Sequence, residues 1–286
     1  MATQQDIARR IRSVRNTGKI TKAMELVAAS RLRRAQARIQ GLRPYADRLQ
    51  QLTVEVAAAT SHTRGQPLLE RREVKGVAVL ALTADRGLAG AFNANLIKEA
   101  RLLVQRLESE GTQVELHIVG RKGIGFFRYL GRELATARTD ITDRPTAGDA
   151  RSLADSLIEN FTDGALDAVY VVYAKFNSAL STPATAEQVL PVTPPQRSGI
   201  ARDYILAPSA DAILTELLPL YVRNSIYRAL VETVAGEQSA RRTAMKNATD
   251  NASDMINVLR RTYNRARQAQ ITQEIAEIVG GAAALE

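Results

Sequence analysis

Two glycine-rich segments contain the residues best suited to bind a ligand. Asp85-Arg86-Gly87-Leu88-Ala89-Gly90 follows one apolar run, and Gly120-Arg121-Lys122-Gly123-Ile124-Gly125 follows another. Such loops can hold a phosphate, because the first N–H groups of the next helix lack partners. Neither loop has the spacing Gly-x-Gly-x-x-Gly, and the chain contains no Gly-x-x-x-x-Gly-Lys-Ser/Thr. Tight strand-to-helix turns are the favoured interpretation, and an anion site is the alternative.

Side chains for acid–base, thiol or metal chemistry are few. The chain has no cysteine, and neither His62 nor His117 has a ligand-like spacing to a neighbour. We interpret both histidines as structural or exposed. Four aspartates fall in predicted loops, without the apolar surroundings typical of catalytic carboxylates: Asp85, Asp140, Asp143 and Asp149. The sequence therefore predicts no catalytic residue, no metal site and no cofactor.

The elements that would position these loops lie between residues 76 and 193. Short apolar runs in this region alternate with amphipathic segments, which predicts a small, doubly wound, mostly parallel α/β domain of the Rossmann-like kind. The last strand is expected at an edge of the sheet. Residues 60–75 and 194–208 are predicted linkers. The predicted strands are 77–83, 114–119, 134–138, 168–173 and 185–192, and the predicted helices are 92–110, a short one ending at 130, and 147–161.

Residues 1–59 have the pattern of a long coiled-coil helix. Thr3 is a suitable N-cap, and Pro44 predicts a kink or a break near Leu42 and Arg43. One heptad frame collects mostly apolar residues. They are Ile7, Ile11, Val14, Ala28, Leu32, Ala35, Ile39, Leu42, Ala46, Leu49 and Val56.

The heptad frame fails in the middle of this segment. Three residues poorly suited to a seam occupy seam positions there, namely Gly18, Thr21 and Glu25. Three apolar residues form a displaced stripe instead, namely Ile20, Met24 and Val27. A local phase shift in an ordinary coiled coil is one interpretation. The other is that this stripe faces away from the partner helix and contacts another molecule.

Residues 209–286 predict a second and longer coiled-coil helix. About 75 helical residues would extend on the order of 110 Å, too long for a compact domain of this size. With the α/β domain between them, the two terminal helices must return side by side as an antiparallel coiled coil, and the longer one should project as a single-helix tip. Its expected seam is Ile213, Leu217, Leu220, Tyr227, Val231, Val234, Met245, Ala248, Ala252, Met255, Leu259, Ala266 and Ala269.

Charge is concentrated at the N-terminus. The 286 residues have a formal net charge of +9, and residues 1–59 alone contain 12 Lys or Arg against 4 Asp or Glu. Such a segment suits nucleic acid, an anionic lipid surface or an acidic protein, and charge does not choose among these partners. No run approaches the roughly 20 apolar residues of a membrane span, so the chain is expected to be soluble and cytoplasmic.

Four stretches, in order along the chain, resemble the γ subunit of F-type ATP synthase. They are KITKAMELVAAS at 19–30, DRGL at 85–88, AMKNATDNA at 244–252 and RQAQITQEIAEIVGGA at 267–282. This resemblance implies a central rotor shaft without catalytic residues of its own, whose terminal helices stand inside the hexamer of α and β subunits. The α/β domain would lie beside the ε subunit and the membrane ring of c subunits. Rotation would couple ion flow to ATP synthesis or hydrolysis at the β subunits.

The resemblance also assigns contact residues and a location. Lys22 and Met24 would face an acidic lever of a β subunit, and Tyr204 would lie near the ε subunit and the c ring. Four residues match positions that hydrogen-bond to a β-subunit loop: Arg241, Gln268, Thr272 and Glu274. The motif starts close to Met1 without a transit peptide, which indicates a bacterial protein at the cytoplasmic face of the cell membrane, bound peripherally. Ala89 stands where many relatives have cysteine, and the paired-cysteine redox insertion is missing, so no thiol regulation is expected.

Two other functional classes remain as alternatives. The basic N-terminal segment could bind nucleic acid, although few aromatic residues interleave with its charges, and such binding would weaken steeply with salt. The α/β domain could instead be that of a nucleotide-dependent enzyme, which predicts nucleotide binding by the isolated chain. The expectation is that no nucleic acid binds.

Overall fold

A computed structural model describes residues 3–59, 66–193, 206, 207 and 209–283. Every helix and strand predicted from the sequence is present, with most ends within about two residues of the prediction. The helices are α1 (Gln4–Ala59), α2 (Phe92–Ser109), α3 (Arg121–Tyr129), α4 (Ala147–Thr162) and α5 (Ala210–Ala283). The strands are β1 (Gly76–Leu82), β2 (Gln113–Val119), β3 (Thr136–Arg138), β4 (Ala168–Ala174) and β5 (Ala184–Leu190), and a single 3-10 turn spans Pro67–Leu69.

The five strands form one sheet in the order β3-β2-β1-β4-β5. All neighbours are parallel except β4 and β5, which are antiparallel, so the last strand lies at an edge as expected. Side chains of β1 alternate between two cores. Val77 and Val79 pack with α2 and α3, whereas Ala78 and Leu80 pack with α4 and the first part of α5. Helices on both faces confirm the doubly wound, mostly parallel domain.

The chain divides into two compact units. Residues 29–240, here the sheet unit, contain the sheet with the adjoining parts of α1 and α5. Residues up to 28 and from 241 onward, here the terminal unit, contain the remaining parts of these two helices. The boundary therefore falls inside two continuous helices.

Helix α1 is continuous through Pro44, so of the predicted kink or break near Leu42 and Arg43 the break is wrong, and the kink stays a prediction. A proline removes one helical hydrogen bond, but packing on both sides outweighs that loss, because Ile39 and Leu49 are buried. The predicted N-cap is confirmed, since Thr3 Oγ1 accepts a hydrogen bond of 3.3 Å from the backbone N–H of Asp6. All the predicted seam residues of α1 are buried or half-buried.

Helix α5 departs from its predicted seam at Leu220, Met255 and Ala269, which are exposed. The first part of α5 covers one face of the sheet in addition to pairing with α1. Because it packs on two sides, further residues outside the single heptad stripe are buried. They are Leu214, Leu218, Val222, Ile226, Ala229 and Leu230.

Candidate interaction surface

The two helices of the terminal unit meet through small and polar residues. Thr21 Oγ1 and Thr249 Oγ1 are 2.8 Å apart and share a hydrogen bond. A Cβ atom added to Gly18 would lie 3.4 Å from the Cβ of Ala252. From Gly18 to Thr21 the residue number on α1 rises by three, while the number of the facing residue on α5 falls from 252 to 249. The two helices therefore run antiparallel. The helices approach closely at Gly18 and Thr21, and this explains why small and polar residues occupy the seam there.

The apolar stripe beside this seam faces away from the partner helix. Ile20 is 61% exposed and Val27 is 54% exposed, whereas Met24 is half-buried. The stripe thus faces away from the partner helix, as the second interpretation of the broken heptad frame predicts, and its contact with another molecule stays a prediction. Leu26, which the sequence analysis did not single out, is also 60% exposed.

The surface of α1 around this stripe is basic. Lys22 Nζ lies 3.0 Å from Glu25 Oε2, and Asp6 pairs with Arg9. Further basic side chains are exposed and form no ion pair with any residue that the structure describes: Arg10, Arg12, Arg15 and Lys19. This surface combines exposed apolar groups with uncompensated positive charge.

Among the described residues of the terminal unit, no helix faces the end of α5. Continuing the antiparallel register places Gln4, the first residue of α1, opposite Ala266. Every residue from Arg267 to Gly280 is exposed. This agrees with the predicted single-helix tip.

The glycine-rich loops offer no free anion site at the start of α3. The backbone N–H of Arg121 donates to Asp85 Oδ1 at 2.9 Å, and that of Gly123 donates to Thr83 Oγ1 at 3.0 Å. Between them, the N–H of Lys122 donates to the carbonyl of Ala84 at 3.1 Å. Because these donors are already used inside the protein, the tight-turn interpretation is confirmed for the loop that precedes α3.

The candidate aspartates also have structural partners. Asp85 Oδ2 accepts a hydrogen bond from Thr142 Oγ1 at 2.6 Å, and Asp149 completes the capping box of α4. Hydrogen bonds from Arg138 lower the pKa of Asp140. Asp143 lies between Arg31 and Arg86, at 3.6 and 3.5 Å.

The crevice where doubly wound folds bind ligands is covered by α5 in the sheet unit. In such folds the ligand lies beyond the carboxyl ends of the strands, where the strand order reverses. Here a Cβ atom added to Gly236 of α5 would lie 2.9 Å from Ala174 Cβ at the end of β4, and 3.2 Å from the Phe92 ring. The cavity left at this point has a volume of about 170 Å³. The helix thus fills most of the space that a nucleotide would need.

The other predicted absences concern metals and the membrane. No cluster of three or more His, Asp or Glu side chains that could hold a metal ion occurs in the described ranges. His117 is buried on β2, where its Nδ1 lies 3.0 Å from Thr136 Oγ1. Among the described residues, no helix combines the length and apolar character needed to span a membrane.

Comparison with known proteins decides the family. A family model described as ATP synthase matches residues 3–285. The chain is 60% identical to the ATP synthase gamma chain of Gemmatimonas aurantiaca and 46% identical to that of Pelotomaculum thermopropionicum, each over the full length of both chains. The chain belongs to the ATP synthase gamma chain family.

Solved structures agree with this assignment. A chain of the Tetrahymena thermophila mitochondrial ATP synthase central stalk and c-ring is 25% identical, with a TM-score of 0.59 over 80% of this chain and 99% of that one. A chain of the Euglena gracilis mitochondrial enzyme has a TM-score of 0.67 at 17% identity, over 99% of this chain and 94% of that one, and shows the same fold.

The contact residues that the gamma-chain resemblance assigned fall in two places on the terminal unit. Gln268, Thr272 and Glu274 lie together on the exposed end of α5, where Thr272 Oγ1 donates to the Gln268 carbonyl at 2.9 Å and Glu274 accepts from Gln270 Nε2 at 3.0 Å. Arg241 lies 27 residues earlier, about 40 Å along the helix. It is 8% exposed, so little of its guanidinium is presented to solvent.

Lys22 and Met24 lie on α1 near the level of Arg241, because the antiparallel register places Met24 opposite Lys246. Tyr204 lies outside the described residues. A further apolar stripe, not predicted from the sequence, lies on the end of α5. The apolar residues of this stripe recur at helical spacing, which could have identified it from the sequence. Its members are Ile271, Ile275, Ile278 and Val279, which are 46, 56, 71 and 62% exposed.

Proposed function

We propose that this gamma chain is the rotating central shaft of its ATP synthase and acts through the terminal unit. The catalytic hexamer of α and β subunits surrounds that unit, and rotation with the membrane c ring couples ion flow to ATP synthesis or hydrolysis at the β subunits. The chain itself is non-catalytic. The observation that carries this proposal is the fully exposed end of α5, residues 267–280, with its apolar stripe.

An exposed apolar helix end of this kind requires a partner. Single helices are only marginally stable in water, since packing of an apolar face supplies most helical stability in proteins. Burying an isoleucine side chain contributes roughly 1.5–3 kcal/mol. Ile271, Ile275 and Ile278 recur on one helical face and can together seat this end against a surrounding surface.

The basic face of α1 suits a second contact of different chemistry. Lys22 and Met24 are proposed to meet an acidic segment of a β subunit, and the four unpaired basic residues nearby supply the long-range attraction. A shaft changes its surroundings only through contacts whose free energies differ between conformations. An apolar stripe beside a basic surface gives each surrounding subunit a different contact at each rotational position.

The remaining contacts of the proposal lie at the foot of the shaft. Tyr204 and the residues after it are assigned to the ε subunit and the c ring, which would hold the protein peripherally at the cytoplasmic face of a bacterial membrane. Support for the non-catalytic role comes from the sheet unit, where α5 covers the ligand crevice and the first N–H groups of α3 are used internally.

The direct test is assembly with α and β subunits from the same source, followed by Mg-ATP hydrolysis with and without this chain. We expect a stable complex with one copy per three αβ pairs and turnover that depends on it. Failure to co-purify at physiological salt would contradict the proposal.

A matched pair of threonines tests the assigned contact residues. Thr272 and Thr262 are both exposed, and each donates to the carbonyl four residues earlier, at 2.9 and 3.2 Å. Thr272→Ala should lower turnover of the complex several-fold, because a hydrogen bond of about 1 kcal/mol to a partner is lost. Thr262→Ala should leave turnover unchanged. Equal effects of the two variants would show that Thr272 makes no specific contact.

A further inference from the structure

A polar cleft in the sheet unit is not explained by the function of a shaft. One face of α1 contributes Arg31, Arg34 and Arg38, and the segment between β3 and α4 faces it. The volume of the cavity is about 630 Å³. Its other lining residues are Ala35, Asp140, Asp143, Arg144, Pro145, Val231, Val234 and Gln238, and we call this site the arginine cleft.

The positive charges of the arginine cleft are incompletely compensated. Arg34 and Arg144 form no ion pair or hydrogen bond with any described residue, and Arg38 donates only to the carbonyl of Pro145, at 3.3 Å. The two acidic residues of the lining pair with other arginines than Arg34, Arg38 and Arg144. Arg86 shares Asp143 with Arg31, and Arg138 binds Asp140 at 3.1 Å. Three guanidinium groups are therefore available around one cavity.

Gln238 forms part of the buried wall of the cleft, and its Oε1 has no hydrogen-bond partner among the described residues. An amide oxygen accepts hydrogen bonds, so it does not bind the oxygens of an ionised phosphate. Recognition of a phosphate in this cleft therefore depends on the arginines.

We propose that the arginine cleft binds a small, multiply charged phosphate compound. Guanidinium groups match phosphate oxygens with paired hydrogen bonds, which favours a phosphate over a single carboxylate. Small-molecule sites typically have volumes of about 300–1,000 Å³, and the cavity falls in this range. No aromatic residue lines it, so the phosphate rather than a nucleobase is recognised. Three walls, from α1, α5 and the β3–α4 segment, suit a compact ligand better than a protein segment.

This proposal does not depend on the shaft function and is tested on the full chain alone. Inorganic pyrophosphate is titrated into the protein at low ionic strength, and binding is measured by calorimetry. Arg34→Gln/Arg144→Gln removes two guanidinium groups without breaking an internal bond and should raise the dissociation constant at least about tenfold. Arg33→Gln/Arg43→Gln is the matched control, because both residues are exposed on α1 outside the cleft and the charge change is equal. The control should change the dissociation constant less than about twofold.

Further arms of the experiment identify the source of the phosphate group. Inorganic phosphate, ATP and vesicles containing phosphatidic acid replace pyrophosphate in separate titrations, and the tightest arginine-dependent binding shows which source is used. Arg34→Lys/Arg144→Lys keeps the charge without the planar fork and should fall between wild type and the glutamine variant. Absence of saturable binding of any phosphate compound would overturn the proposal. Equal weakening by the control variant would do the same, as would binding of polyglutamate alone, which would point to an acidic protein partner.

Discussion

The sheet unit and the terminal unit differ in where their side chains find partners. In the sheet unit, the loops at the strand ends direct their polar groups inward, as Asp85 does toward α3 and Thr142. In the terminal unit, apolar side chains such as Ile20 and Ile278 face solvent. The loops at the strand ends of the sheet unit thus satisfy their polar groups within the chain, whereas the terminal unit presents exposed apolar side chains that suit contacts with other proteins.

The largest expected effect concerns the close packing of the strand-end loops in the sheet unit. Gly120 has a φ of +99°, and a Cβ atom there would lie 2.1 Å from the carbonyl oxygen of Thr83. Gly120→Ala should therefore destabilise the isolated chain by about 3 kcal/mol or more, measured by urea unfolding. Gly131 also has a positive φ, +71°, but open space around it, so Gly131→Ala should cost only about 1 kcal/mol. Equal losses of stability in the two variants would show that the positive φ alone, rather than packing against Thr83, requires a glycine at position 120.

A second pair of glycines compares packed and open positions on the long helices. Gly236 contacts Ala174 and Phe92, whereas a Cβ atom at Gly41 of α1 would have no neighbour within 4 Å. Gly236→Ala should destabilise the chain by about 1–2 kcal/mol, because overpacking exceeds the gain in helix propensity. Gly41→Ala should stabilise it by about 0.5–1 kcal/mol. A stabilising Gly236→Ala would mean that α5 does not press on the ligand crevice in solution.

These glycines show how far the sequence predicts the fold. Period-two and heptad patterns are local, so every strand and both long helices could be predicted from them. The covering of the sheet by α5 could not be predicted in this way. In the sequence Gly236 is an ordinary helical glycine, and its role follows only from its contacts with Ala174 and Phe92, which are distant along the chain. For the same reason the sequence could not decide between a kink and a break at Pro44, where α1 is continuous.

The candidate site was predictable to a similar extent. The displaced stripe at Ile20 follows from the heptad frame alone, and its exposure is confirmed. Gln268 and Thr272 were assigned by resemblance, and their exposure is consistent with a contact but does not test it. The low exposure of Arg241 and the convergence of Arg34 with Arg144 depend on distant segments, so no local pattern predicts them.

The third prediction compares exposed apolar residues of the two units. Ile278 is 71% exposed in the terminal unit, and Leu180 is 96% exposed between β4 and β5. Ile278→Gln and Leu180→Gln should each change the free energy of unfolding of the isolated chain by less than about 0.5 kcal/mol. Only Ile278→Gln should weaken assembly with α and β subunits, by roughly tenfold, because an apolar contact is lost. Equal assembly with both variants would exclude the end of α5 as an apolar contact, which native mass spectrometry at limiting concentration can measure.

The smallest effect concerns a buried histidine of the sheet unit. His117 Nε2 is buried without a hydrogen-bond partner, and burial lowers the pKa of His117 despite the opposing influence of Glu115. Because the folded chain binds this proton more weakly than the unfolded chain, with its ordinary pKa of about 6.5, stability should fall as pH drops below about 7. One proton contributes no more than about 1.4 kcal/mol per pH unit. His117→Gln should flatten the loss of stability between pH 8 and pH 5.5 in urea unfolding. A wild-type slope retained by His117→Gln would assign the pH dependence to other groups.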